Sequence, residues 1–199
     1  CMLLIKECND ELTFQNKSAA LEIYAMFHGR DSFVKEINDA EYNLTPEEKS
    51  EGFVSLFNSN DLDNWTGDKT AYIVEDGMIV IKPDKGSVGN LYTSNEYSDF
   101  IFRFEFQLTP SANNGLGIRA PLQGDAAYAG MELQILDNTA PVYATLQPYQ
   151  YHGSIYGVIP AKREYLNPVG EWNYEEVYAK GTKIRITLNG TVIVDGDIA

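Results

Sequence analysis

Glu132 and Gln134 stand two residues apart in Met131-Glu132-Leu133-Gln134-Ile135-Leu136-Asp137, a run in which apolar and polar side chains alternate. Successive side chains of an extended strand point to opposite faces. The carboxylate and the amide therefore share one face, and Met131, Leu133 and Ile135 take the other. A carboxylate so placed can accept and return a proton, and an amide beside it can orient a hydroxyl. The preceding run, Asn113-Asn114-Gly115-Leu116-Gly117-Ile118-Arg119, alternates in the same way, with Leu116 and Ile118 on one face and Gly115, Gly117 and Arg119 on the other. Glycines beside an arginine leave room for a ligand. If the two polar faces form one surface, Arg119, Glu132 and Gln134 line a groove with a glycine floor. The competing reading is a cross-strand ion pair between Glu132 and Arg119, with Gln134 turned to solvent.

Two further residues bear on this groove. Asp137 follows Glu132 by five positions, which puts it on the opposite face of a regular strand unless a bulge restores it. An aspartate at a strand end before Asn138 can equally close an Asx turn. His152 lies in the Tyr- and Gly-rich segment Tyr149-Gln150-Tyr151-His152-Gly153-Ser154-Ile155-Tyr156-Gly157 and is the one near-neutral titrating group of this half of the chain. It reads either as a site residue or as a hydrogen-bonded structural histidine. No GxSxG elbow, HExxH helix, phosphate loop or dinucleotide fingerprint occurs, so carboxylate, Arg and His carry whatever chemistry there is.

The elements that must hold these residues are strands. Phe100, Phe102, Phe104, Phe106 and Leu108 alternate with Ile101, Arg103, Glu105 and Gln107, and Ile184, Ile186 and Leu188 alternate with Lys183, Arg185 and Thr187. Asn189-Gly190 supplies a two-residue turn into a following strand, and Glu75-Asp76-Gly77 a second hairpin. These signals predict an all-β sandwich of two antiparallel sheets over residues 51–199. Residues 1–50 read as a helical appendage or linker. Leu21, Tyr24, Ala25 and His28 fall at helical spacing, Phe33, Ile37 and Ala40 continue that face, and Thr45-Pro46-Glu47-Glu48 with Gly52 caps a short turn of helix.

Composition excludes several classes. The 199 residues hold 15 Lys and Arg against 29 Asp and Glu, a formal charge of -14, which repels phosphate backbones and anionic lipid and argues against a nucleic-acid partner. No apolar run reaches the ~18 residues of a membrane helix. Cys1 and Cys8 lack the partners of a metal or thiol site. Cys1 leaves open a lipid anchor of the acylated-cysteine kind. The 13 Tyr, 9 Phe and 2 Trp suit a β core and flat surfaces on which sugar rings stack.

The string Phe53-Val54-Ser55-Leu56-Phe57-Asn58, followed by Asp61-Leu62 and Asn64-Trp65, resembles the opening of the bacterial 3-keto-disaccharide hydrolase domain family. Val74-Glu75-Asp76-Gly77, Gly89-Asn90-Leu91-Tyr92-Thr93, Tyr97-Ser98-Asp99-Phe100, Ala112-Asn113-Asn114-Gly115, Glu132 to Asp137, Gly170-Glu171-Trp172-Asn173 and Leu188-Asn189-Gly190 continue the likeness in order across residues 52–199. The resemblance implies a concanavalin-like jelly roll related to laminarinases and legume lectins. It also implies a periplasmic or cell-surface location, a helical-repeat neighbour ahead of the sandwich, and a carbohydrate ligand with a ketone at C3. The family pattern continues past Asp195 to a late strand not found here, so a missing C-terminal strand and an exposed sheet edge are expected.

Laminarinase-type relatives carry an E-x-D-x-x-E strand, and Glu132, Gln134 and Asp137 fall at the same spacing with an amide in the middle. A retaining glycosidase needs two carboxyls about 5–5.5 Å apart, so the amide points elsewhere. A C3 ketone acidifies the C2 proton, and one base with one oxyanion stabiliser then suffices. The expected catalytic set is Glu132 as acid/base with Arg119 and His152 stabilising the enolate. Gln134, Asp137, Asn114 and Tyr156 are expected to bind substrate. No cofactor is expected. A divalent ion such as calcium is the alternative electrophile, although Glu132, Asp137 and His152 have no recognisable ligand spacing. The rival functions are a non-catalytic carbohydrate-binding module and a structural interaction domain.

Overall fold

The structure is a computed structural model and describes residues 3–7, 20–26, 44–82, 89–122 and 126–199. Its strands, in chain order, are β1 (Leu3–Glu7), β2 (Ala20–Met26), β3 (Val54–Ser55), β4 (Trp65–Gly67), β5 (Tyr72–Glu75), β6 (Met78–Ile81), β7 (Leu91–Glu96), β8 (Phe100–Gln107), β9 (Asn113–Ala120), β10 (Met131–Leu136), β11 (Trp172–Lys180), β12 (Lys183–Leu188) and β13 (Thr191–Asp197). Two short helices, α1 (Pro46–Glu51) and α2 (Ala126–Ala129), accompany them. A six-stranded sheet runs β13-β12-β11-β8-β1-β3, a five-stranded sheet runs β10-β9-β2-β7-β4, and β5 and β6 form a separate hairpin. All the pairings are antiparallel.

Period-two sequences build the space between the sheets. Phe100, Phe102 and Phe104 of β8, Val177 and Ala179 of β11, and Ile184, Ile186 and Leu188 of β12 are buried together with Leu116, Ile118, Leu133 and Ile135 of the other sheet. Full burial of each large apolar side chain stabilises by roughly 1.5–3 kcal/mol, so this layer fixes which face of every strand turns inward. The opposite face of β8 carries Ile101, packed against Phe53, and the polar Arg103, Glu105 and Gln107. Arg103 pairs with Glu176 across the strands at 2.7 Å and lies 4.0 Å over the Phe53 ring, which fastens the segment after α1 to the sheet.

Local turn chemistry behaves as its residues dictate. Asn189 and Gly190 have φ of 48° and 83°, and Asp76 and Gly77 have 50° and 70°, the left-handed pairs that join β12 to β13 and β5 to β6. At α1 the Thr45 hydroxyl accepts the Glu48 N–H while the Glu48 carboxylate accepts the Thr45 N–H, and Gly52 closes the helix at φ 86°.

The helical reading of the early residues is corrected at 20–26, where a strand forms. Leu-Glu-Ile-Tyr-Ala-Met supports either period, because Leu21, Ile23 and Ala25 also alternate with Glu22, Tyr24 and Met26. Ladder bonding to β9 on one side and β7 on the other decides for the strand. Strand β1 likewise sits inside its sheet, between β8 and β3. His28, Phe33, Ile37, Ala40, Cys1 and Cys8 lie outside the described residues.

Candidate active site on the outer face of the five-stranded sheet

Strand β10 pairs with β9 so that Glu132 stands opposite Gly117, Leu133 opposite Leu116 and Gln134 opposite Gly115. Leu116, Leu133 and Ile135 belong to the inter-sheet core, so Glu132 and Gln134 face outward, over glycines. The Glu132 side chain leans diagonally across the strands. A Cβ on Gly115 would run into its Oε1 and lie only 2.7 Å from its Cγ and 2.8 Å from its Cδ. The Glu132 carboxylate thus lies above Gly115, the residue directly opposite Gln134. That glycine is required by this close approach rather than by its backbone angles.

The other edge of β10 is closed by residues 153–156. Gly153 N–H donates to the Gln134 carbonyl at 2.7 Å, Gln134 N–H to the Ser154 carbonyl at 3.0 Å, and Tyr156 N–H to the Glu132 carbonyl at 2.9 Å. Tyr156 therefore lies beside Glu132, and its hydroxyl accepts a 2.7 Å bond from the Gln150 amide. Paired on both edges, β10 is a rigid support, and although its two polar side chains face outward they are only 9 % (Glu132) and 4 % (Gln134) exposed. The Gln134 Oε1 is buried without a hydrogen-bond partner, an arrangement that native structures seldom keep without cause.

The remaining expected site residues go elsewhere. Arg119 has φ 54°, which breaks the regular alternation, and its guanidinium turns to the Ser98 carbonyl at 3.4 Å and Asp99 at 3.5 Å. Burial lowers the Arg119 pKa and nearby Asp99 opposes the shift, yet a guanidinium stays charged at neutral pH. Its cation is committed to the turn between β7 and β8, and Asp99 in turn accepts the Gly181 N–H between β11 and β12.

Of the two readings of His152, the structure shows the hydrogen-bonded histidine of the interior. It is 2 % exposed, its ring packs against Phe106 at 5.2 Å, and both ring nitrogens are occupied. Leu136 N–H donates to Nδ1 at 3.3 Å, which places the proton on Nε2, 3.1 Å from Oε2 of Glu175. Glu175 is 0 % exposed and belongs to the inward set of β11. The pair therefore ties the segment leading to Tyr156 to the opposite sheet.

Asp137 takes the Asx-turn alternative. One oxygen accepts the Ser111 N–H at 2.8 Å, and the other accepts the Thr139 N–H at 2.9 Å and its hydroxyl at 2.6 Å. Asn114 pairs with the core residue Ile135, and its side chain accepts the Gly115 N–H at 2.7 Å, so it faces away from Glu132. Its neighbour Asn113 lies instead on the glycine side. There it lies near Tyr143, whose phenol donates to the Ser111 carbonyl at 3.1 Å. Burial pushes the Tyr143 pKa up, Asn113 opposes this, and the Asp137 charge adds to it.

Sequence reasoning passed over Glu175, although a signal existed: an acid at an inward position of the series Asn173, Glu175, Val177, Ala179. Nothing local marks Tyr143. Among the described residues no three His, Cys, Asp or Glu side chains gather closely enough to hold a metal ion, and no helix is long and apolar enough to cross a membrane.

Residues 52–199 match the family described as the 3-keto-alpha-glucoside-1,2-lyase-like domain. The chain belongs to this family. A Bacteroides thetaiotaomicron protein named 3-keto-disaccharide hydrolase is 24% identical over 160 residues, which cover 68% of this chain and 55% of the relative. The chain therefore matches about half the length of that relative. A solved structure of a candidate glycosyl hydrolase from Parabacteroides distasonis is 26% identical, with a TM-score of 0.67 over 79% of this chain and 77% of that one. A second from the same organism, 24% identical with a TM-score of 0.60 over 71% of this chain and 70% of the other, shares the fold.

Proposed function

We propose that this domain cleaves 3-keto-glycosides, with Glu132 as the proton-transfer residue on the outer face of the five-stranded sheet. The observation that carries the reading is a nearly buried carboxylate lying above Gly115, on the same strand face as a nearly buried amide. In a 3-keto sugar the C2 proton is acidified by the neighbouring carbonyl. The Glu132 carboxylate takes that proton, and the C–H electron pair moves into the C2–C3 bond while the C3 oxygen becomes an enolate. The enolate then collapses, C3=O re-forms, C1–C2 becomes a double bond and the C1–O bond breaks. The leaving oxygen recovers the proton from Glu132. Addition of water to C1 of the unsaturated product completes a hydrolysis. Without that addition the reaction is an elimination, as the lyase-like description of the family has it.

A second carboxyl beside Glu132 is unnecessary in this scheme, which suits a strand whose middle position is an amide and whose Asp137 is committed to a turn. The test is incubation of the protein with a 3-keto-disaccharide and with its unoxidised parent, with and without chelator, following release of the free sugar by mass spectrometry. Cleavage of the keto form alone, abolished in Glu132→Gln at an unchanged melting temperature, is the expected result. Binding of both sugars without cleavage would replace the enzyme by a carbohydrate-binding module.

A further inference from the structure

The expected enolate stabilisers, Arg119 and His152, are committed elsewhere, and the Gln134 amide shares the strand face of Glu132. We propose that Gln134 is the catalytic residue that stabilises the enolate, with its amide N–H donating to the C3 oxygen and its carbonyl accepting the hydroxyl on a neighbouring ring carbon. The inference rests on the proposed cleavage of 3-keto-glycosides and deepens it.

Three observations lead there. Gln134 is 4 % exposed and its Oε1 makes no hydrogen bond, so the protein leaves an acceptor unpaired that a sugar hydroxyl would satisfy. The residue opposite is Gly115, which has no side chain of its own, and Tyr24 of β2 holds the next position in that row. Glu132 leans over the glycine that stands opposite Gln134, and the two residues are neighbours on one strand face as C2 and C3 are neighbours in the sugar.

The chemistry then distinguishes an amide from the acid that laminarinase-type strands carry here. An amide offers a donor to the developing oxyanion and an acceptor to the adjacent hydroxyl. An ionised carboxylate offers acceptors only and repels the enolate, while still accepting hydroxyls from an unoxidised sugar. No covalent bond to Gln134 forms; the electron pair released from C2–H resides on the C3 oxygen while the amide N–H holds it.

The experiment compares wild type, Gln134→Glu and Gln134→Met on the 3-keto-disaccharide, with binding of the unoxidised parent measured in parallel. Loss of one oxyanion donor costs about 100- to 1,000-fold in kcat. Gln134→Glu is expected to lose that much at neutral pH with KM and parent binding changed by only a few fold. It should recover activity on acidification, as the neutral acid regains a donor. Gln134→Met should lose the same kcat with no recovery at low pH and should melt no lower than wild type, because an unpaired buried acceptor has been removed.

Retention of kcat within about threefold in the glutamate variant overturns the proposal. If that variant does not fold, the methionine variant decides alone, and retained kcat there overturns it equally. A wild-type protein inactive on the keto sugar would instead refute the proposed function itself.

Discussion

A methyl group added at Gly115 would enter the space that Glu132 fills. Its carbon would run into the Glu132 Oε1 and lie 2.7 Å from Cγ and 2.8 Å from Cδ. Carbon atoms rest about 3.5–4.0 Å apart, so Cγ as well as the carboxyl must retreat by roughly 1 Å. Swinging the flexible far end aside is therefore insufficient, and the side chain must leave its rotamer. Gly115 lies in regular strand with no left-handed backbone, so alanine itself is unstrained there.

The stability terms nearly cancel. Gly→Ala at a compatible position stabilises by about 0.4–1 kcal/mol, and an off-rotamer glutamate costs about 0.5–1.5 kcal/mol. Activity is more sensitive, because a displacement of ~1 Å at a reacting group costs about 100-fold, or roughly 2.7 kcal/mol of transition-state stabilisation. Gly115→Ala should thus melt within a few degrees of wild type and lose about 100-fold in kcat/KM on a 3-keto-disaccharide, followed by product release. Wild-type turnover at an unchanged melting temperature would refute the placement of the chemistry over Gly115.

Two further outcomes follow from the packing. Glu175→Ala leaves the Nε2–H of the buried His152 ring without its acceptor, and a buried donor so stranded costs about 1–3 kcal/mol, whereas Glu175→Gln keeps an acceptor for Nε2 and should cost less. Urea unfolding of the two variants checks this, and equal losses would show that the ring does not depend on that contact. At the surface, the Asp61 carboxylate is held below its ordinary range, first by the Asp63 N–H and then by the Asn58 amide. Its contribution is fully present above the unfolded value of about 3.9 and is lost as pH falls through the lower folded value. The stability difference between wild type and Asp61→Asn should therefore shrink as pH falls from 5 towards 2, and a difference constant over that range would refute the linkage.

Local periodicity and turn chemistry made much of the sandwich legible. The alternation of Phe100 to Gln107, the Asn189-Gly190 and Asp76-Gly77 turns and the Thr45 cap are each governed by residues within a few positions of one another, and each stands as its sequence dictates. The shared face of Glu132 and Gln134 belongs to the same class, because two residues of one strand cannot be separated by anything distant.

Whatever depends on a remote partner was decided by tertiary structure. Residues 20–26 fit either period, and the slot between β9 and β7 made them a strand. A positive φ sent Arg119 to Asp99. An acid 23 residues further along the chain drew His152 inward. Both groups carry charge or strong hydrogen-bonding demand, and a buried group of that kind goes where its partner is. The sequence by itself determined which residues share a strand face; only the folded sheets determined which of those faces meet, because that meeting is set by burial and hydrogen-bond satisfaction between segments far apart in the chain.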